Sequence, residues 1–160
     1  MADRSSNSAA GSDSAPAARK EVLPCSDSLA RTALETCRQH ERLSRLMLLE
    51  VSFDELRAAH AMVETIDLAL EESVAEFEKK SSRPGVTGSS ELRAAANAMW
   101  LAARQYLRRH SMAERASRQI HRSDDSLGDL HLEYQLEASS LLALRQATSA
   151  YQKLRPENCF

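Results

Sequence analysis

FDELRAAHAMVETIDLALEESVAEFEKK, residues 53–80, followed by SSRPGVTGSS, residues 81–90, is the stretch whose reading decides the fold. Leu56, Ala59, Val63, Ile66, Leu70 and Phe77 recur at spacings of three, four and seven, which puts them on one face of a helix. Pro84, Gly85 and Gly88 then interrupt the pattern. Proline removes a backbone donor and glycine is conformationally free, so the chain turns there. Beyond the turn, Leu92, Ala96, Met99, Ala103, Tyr106, His110, Ala113 and Ile120 form a second helical stripe, widened by Trp100 and Leu107. Ser89 or Ser90 can cap that helix, with Glu91 near its positive end. A loop this short leaves the two helices as antiparallel neighbours.

The two arms differ in charge. Residues 53–80 hold eight acids (Asp54, Glu55, Glu64, Asp67, Glu71, Glu72, Glu76, Glu78) against Arg57, Lys79 and Lys80. Residues 91–122 hold seven arginines (Arg93, Arg104, Arg108, Arg109, Arg115, Arg118, Arg122) against Glu91 and Glu114. The arms are therefore expected to attract each other. Exposed pairs on helices contribute only a few tenths of a kcal/mol each, so the pattern sets pairing and register more than stability.

Working outward on the N-terminal side, the stripe of 53–80 does not continue. Extended backward it meets Leu49, Arg45, Arg42, Arg38, Glu35 and Arg31, mostly charged. The apolar face of 27–50 runs instead through Leu29, Ala33, Cys37, His40, Leu43 and Met47. The two stripes are out of phase, and Ser52 with Glu55 three residues later is a capping-box signature. A first helix near 27–50 and a second near 53–80 follow. On the C-terminal side, Ser-Asp-Asp-Ser-Leu-Gly-Asp at 123–129 reads as a turn with a new cap. A fourth helix of about 126–155 would face inward with Leu127, Leu130, Tyr134, Leu141, Leu144 and Tyr151, and end before Pro156.

The fold class is thus all-α: an antiparallel bundle of about four helices, or one long coiled-coil hairpin. Helices of ~25–30 residues would be roughly 40 Å long in the bundle, and the hairpin about twice that. Residues 1–25, rich in Ser, Ala, Asn, Asp and Gly, bury too little to offset chain ordering and are expected to form a disordered tail. Residues 26–155 form the helical domain and 156–160 a short C-terminal tail. Few aromatics (seven) among many Ala and Leu favour closely packed helices, and no alternating run suggests a strand.

Composition excludes several function classes. The net charge of −2 argues against a generic polyanion binder. No apolar run approaches the ~20 residues that span a bilayer, and the N-terminus lacks the apolar core of a secretory signal. Cys25, Cys37 and Cys159 have neither disulfide-framework nor zinc-finger spacing and read as reduced thiols of an intracellular, cytoplasmic or nuclear protein. There is no phosphate-binding glycine loop, no GxSxG and no HExxH, so no enzyme activity and no cofactor are expected.

Three sets of residues remain as candidate sites. Leu46, Met47, Leu48 and Leu49, with Val51 and Phe53, exceed what one helix face can hold and would either be buried all round or dock a partner helix. Arg104, Arg108, Arg115 and Arg122 fall near one another on the third helix and give the alternative reading, a nucleic-acid-binding helical protein that contacts phosphates through them, although neither a helix-turn-helix signature nor interleaved aromatics accompany them. His60 with Glu64, and His110 with Glu114, are i, i+4 pairs at matching heights of the expected hairpin and could supply metal ligands. The leading expectation is a helix-mediated protein–protein interaction module, an adaptor or structural subunit of a larger assembly. Homodimerisation through the first and fourth helices is compatible with it.

Overall fold

The computed structural model describes the backbone of residues 15–81, 89–119 and 126–155, and the side chains of 25–81, 89–119 and 127–155. Four helices account for nearly all of it: α1 (Ala15–Met47), α2 (Phe53–Ser81), α3 (Ser90–Gln119) and α4 (Ser126–Lys153). No strand occurs among the described residues.

The break between α1 and α2 forms where the stripes change phase. The end of α1 tightens into i→i−3 bonds, with Leu48 N donating to Arg45 O at 3.1 Å and Leu49 N to Leu46 O at 3.2 Å. The capping box then starts α2: Ser52 N donates to Glu55 Oε2 at 3.0 Å, and Glu55 N donates to Ser52 Oγ at 3.3 Å. The bonds that Glu55 Oε2 accepts from Ser52 N and, at 2.9 Å, from Ser52 Oγ hold the Glu55 carboxyl below its ordinary range. At α3 the cap is Ser89, whose Oγ accepts from Leu92 N at 3.2 Å.

Cross-helix contacts give the topology. Between α1 and α2, Thr32 meets Ser73 and His40 meets Asp67, so one number rises as the other falls. The same inversion relates α2 to α3 (Asp67 to Tyr106, Phe77 to Trp100). It also relates α1 to α4 (Asp27 to Tyr151, Cys37 to Leu141). The helices form an up-down-up-down bundle in which each packs antiparallel to its sequence neighbours and α4 closes back on α1. The long-hairpin alternative is not adopted. Helices α2 and α3 are neighbours, but the most extensive pairings are α1 with α2 and α3 with α4. The molecule is built as two hairpins.

The apolar core is concentrated in one half. It joins Cys25, Leu29, Ala30, Ala33 and Cys37 of α1 to Leu70, Val74 and Phe77 of α2. Ala96, Met99, Ala103 and Tyr106 of α3, with Leu144 and Tyr151 of α4, complete it. Two alanines and two cysteines on α1, Ala30, Ala33, Cys25 and Cys37, let its neighbours approach closely. Two buried hydroxyls turn back on their own helix: Thr148 Oγ1 donates to Leu144 O at 2.8 Å and Ser140 Oγ to Glu137 O at 2.7 Å. At the far end of this half, Asp27 accepts from Tyr151 Oη at 2.7 Å and also pairs with Arg155, fastening α4 to α1.

In the other half, around the α1–α2 turn, Ala59, Val63 and Ala113 are the buried apolar side chains among the described residues. Leu127 and Tyr134, expected to face inward, are exposed there, because α4 begins in the half with no deep core to receive them. Helix α1 begins at Ala15, not near 27, and ends at Met47 rather than 50. Pro16 falls in its first turn, where a missing N–H is no loss. The first 14 residues of the expected tail, the 82–88 loop, Ile120, Arg122 and the 156–160 tail lie outside the described residues.

Candidate functional site

At the boundary between the two halves the apolar stripes are interrupted by a polar layer to which every helix contributes. It consists of His40 (α1), Asp67 (α2), Tyr106 and His110 (α3) and Glu137 (α4). Each lies on its helix's inward face at heptad spacing from core residues: Asp67 follows Val63 and precedes Leu70, and His110 lies four beyond Tyr106.

Asp67 is the centre. It is buried, and its carboxylate accepts from Tyr106 Oη at 3.1 Å (Oδ1) and 3.0 Å (Oδ2). His40 Nε2 stands 3.2 Å from Asp67 Oδ2 and 2.6 Å from Tyr106 Oη. A carboxylate has no proton to give, and the single phenolic proton of Tyr106 is directed to Asp67. His40 therefore satisfies both short contacts by carrying its proton on Nε2 and donating it. Its ring meets the Tyr106 ring edge-on at 5.5 Å between centroids. Burial, followed by the Asp67 charge, pushes the Tyr106 phenol far above its ordinary range, so it serves as a fixed donor.

His110 stands between two carboxylates. Nδ1 is 2.7 Å from Glu137 Oε1, and Nε2 is 3.6 Å from Asp67 Oδ2 and 3.8 Å from Glu114 Oε1. Both ring nitrogens face acceptors, an arrangement that the imidazolium satisfies fully and neutral imidazole does not. Its pKa is raised, first by the hydrogen bond to Glu137, against the opposing effect of burial. The Cys37 thiol nearby is pushed up to about 11 by burial, so it stays protonated and unreactive at neutral pH.

The residues singled out in the sequence are placed as follows. His60 is solvent-facing and pairs with Glu64 at 3.5 Å on its own helix, while His110 turns inward to Asp67 and Glu137. The expected metal set His60, Glu64, His110, Glu114 is not assembled, and no group of three or more His, Cys, Asp or Glu among the described residues is arranged to hold a metal. The reason is register: His110 follows the inward stripe and His60 sits beside it.

The arginines do not form one free stripe. Arg104 stacks on Trp100 at 4.9 Å and approaches Glu78 of α2 at 3.9 Å, both exposed. Arg109 is half-buried beside Glu133 of α4 at 3.7 Å. Arg108 and Arg115 face solvent, and Arg122 is outside the described residues. Between the arginines of α3 and the acids of α2, the attraction among the described residues is thus represented by the long Arg104–Glu78 contact.

The apolar cluster resolves in favour of exposure. Met47, Leu48, Leu49 and Phe53 are 70, 87, 61 and 71% exposed, around half-buried Leu46 and Val51. Arg57 stacks on the outer face of Phe53 at 4.9 Å.

Asp67, Tyr106 and Glu137 were not identified as a site from sequence. The available signal was the acid at position 67 in phase with Val63, Leu70 and Val74. No helix is long and apolar enough to cross a membrane among the described residues. The chain matches no protein-family model, no curated protein and no solved structure.

Proposed function

We propose that the chain is a non-enzymatic helical interaction module, an adaptor or structural subunit, that docks a partner protein's amphipathic helix on the surface around the α1–α2 turn. The observation that carries this reading is the exposure of Met47, Leu48, Leu49 and Phe53 on and beside the short connector between α1 and α2. Isolated exposed leucines are ordinary on a protein surface; four large apolar side chains within seven positions are the usual mark of a contact site. The turn is also rigidly built. Its capping box and tightened helix end hold the side chains outward, so a partner would find the surface preformed.

The test compares the full chain with a Leu48→Asp/Phe53→Asp double variant in stoichiometric capture from native extract, with light scattering across concentration. Both side chains lie outside the core, so the variant should keep its helicity and melting temperature. The reading requires a protein bound at near-equimolar ratio by the parent and lost by the variant. A concentration-dependent dimer abolished by the variant would identify the docked chain as a second copy. Equal behaviour of parent and variant would overturn the proposal.

A further inference from the structure

The polar layer lies where the bundle changes from a deep core to a shallow one, and it ties one hairpin to the other. The inter-hairpin contacts here are the hydrogen bonds of Tyr106 with Asp67 and with His40, and the ion-pair contact of His110 with Asp67. We propose that the layer is a proton-operated latch, in which the His110 imidazolium bridges Glu137 of the α3–α4 hairpin to Asp67 of the α1–α2 hairpin and its deprotonation lets the turn-side half separate while the apolar half stays folded.

The geometry supplies the mechanism. When His110 loses a proton it keeps one N–H. The short bond from Nδ1 to Glu137, 2.7 Å, retains it, and the Nε2 lone pair then faces Asp67 Oδ2 at 3.6 Å and Glu114 Oε1 at 3.8 Å. An attractive cross-hairpin contact becomes a repulsive one. The surroundings offer little to replace the lost charge. From α1 come His40, at 6.0 Å between ring centroids, the protonated Cys37 thiol, and Glu41 with its Arg145 partner. From α2 comes Asp67, and from α4 come Glu137 and Glu133, the latter engaged by Arg109. On α3 itself, Tyr106 stacks on the ring at 5.9 Å. Beyond the layer, burial is confined to Ala59, Val63 and Ala113 among the described residues, so little else holds the hairpins together there.

The sign follows from linkage. The folded state raises the His110 pKa, so its stabilisation is complete below the ordinary imidazole range and is lost as pH rises through the folded value. Opening is therefore an alkaline event. It is independent of the docking reading, since it needs no partner.

Native-state hydrogen exchange on the full chain, read residue by residue by NMR between about pH 6 and 9 alongside the His110 ring shifts, tests the latch. After correction for intrinsic exchange, protection at 41–46, 56–66 and 111–118 should fall as His110 titrates, by up to about tenfold per pH unit, while 29–37, 70–77 and 96–106 hold. His110→Gln should abolish the pH dependence, and Glu137→Gln should move the His110 midpoint down and carry the opening with it. Flat protection through the His110 titration, or a fall that survives in His110→Gln, overturns the latch. Should His110→Gln fail to fold, Glu137→Gln decides alone: an opening that does not follow the shifted midpoint overturns it.

Discussion

Position 106 shows how much one oxygen can do in this bundle. Tyr106 Oη is the donor to both oxygens of buried Asp67 and lies 2.6 Å from His40 Nε2. Tyr106→Phe keeps the ring and its packing and removes that oxygen, so the carboxylate stays buried with a donor missing. The expected loss is about 2–3 kcal/mol, the range for a hydrogen bond to a charged group plus an unsatisfied buried partner. Urea unfolding at neutral pH would read it as a lower midpoint with unchanged slope. A loss within the ordinary surface range, about 0.5 kcal/mol, would mean that water or His40 takes over the bond. The sequence carried half of this. Tyr106 and His110 stand in the inward stripe as read. Asp67 does not, because an apolar reading prefers Ile66, one residue away, and both fit a spacing of threes and fours after Val63. A stripe read for phase rather than hydrophobicity would have passed through 63, 67, 70, 74 and 77.

The helices were legible wherever local chemistry determines them. The phase change at 50–53 and the Ser52–Glu55 pair located the start of α2 without a glycine or proline to mark it, and both reciprocal bonds are present. Ser52→Ala removes the acceptor for Glu55 N and is expected to cost about 1 kcal/mol, measured by thermal or urea unfolding. Glu55 is held below its ordinary range, so the box contributes above that range and is lost as pH falls through the folded value. The Ser52→Ala penalty should accordingly shrink in acid. A penalty independent of pH would show that the serine acts without its glutamate. Charge was a weaker guide. The acidic and basic arms predicted a pairing of α2 with α3, but the arginines find partners on three helices, and the extensive contacts belong to the apolar stripes of α1 with α2 and α3 with α4. Solvated charges are too weakly coupled to override the burial of a stripe.

Across the whole molecule the decisive fact is asymmetry along the bundle axis. All four stripes look alike in sequence, yet one half encloses Met99, Leu70, Leu144, Tyr151 and Phe77 while the turn half, among the described residues, buries little more than Ala59, Val63 and Ala113. Periodicity reports which face turns inward and not how closely four helices converge, so it places Leu127 and Tyr134 inward where the structure leaves both exposed. The asymmetry has a measurable consequence. Met99 is fully buried in the main cluster, and Met99→Ala leaves a cavity lined by neighbours on other helices; its expected cost is about 2–5 kcal/mol. Leu48, 87% exposed at the turn, loses almost no buried area on Leu48→Ala, so the expected change is within about 0.5 kcal/mol. Chemical unfolding of both variants in the full chain compares the halves directly. A small effect at Met99 would place the stability elsewhere than the core half. A large loss at Leu48 would mean that the turn cluster is a structural element of the bundle, and its four apolar side chains would no longer be free to receive a partner.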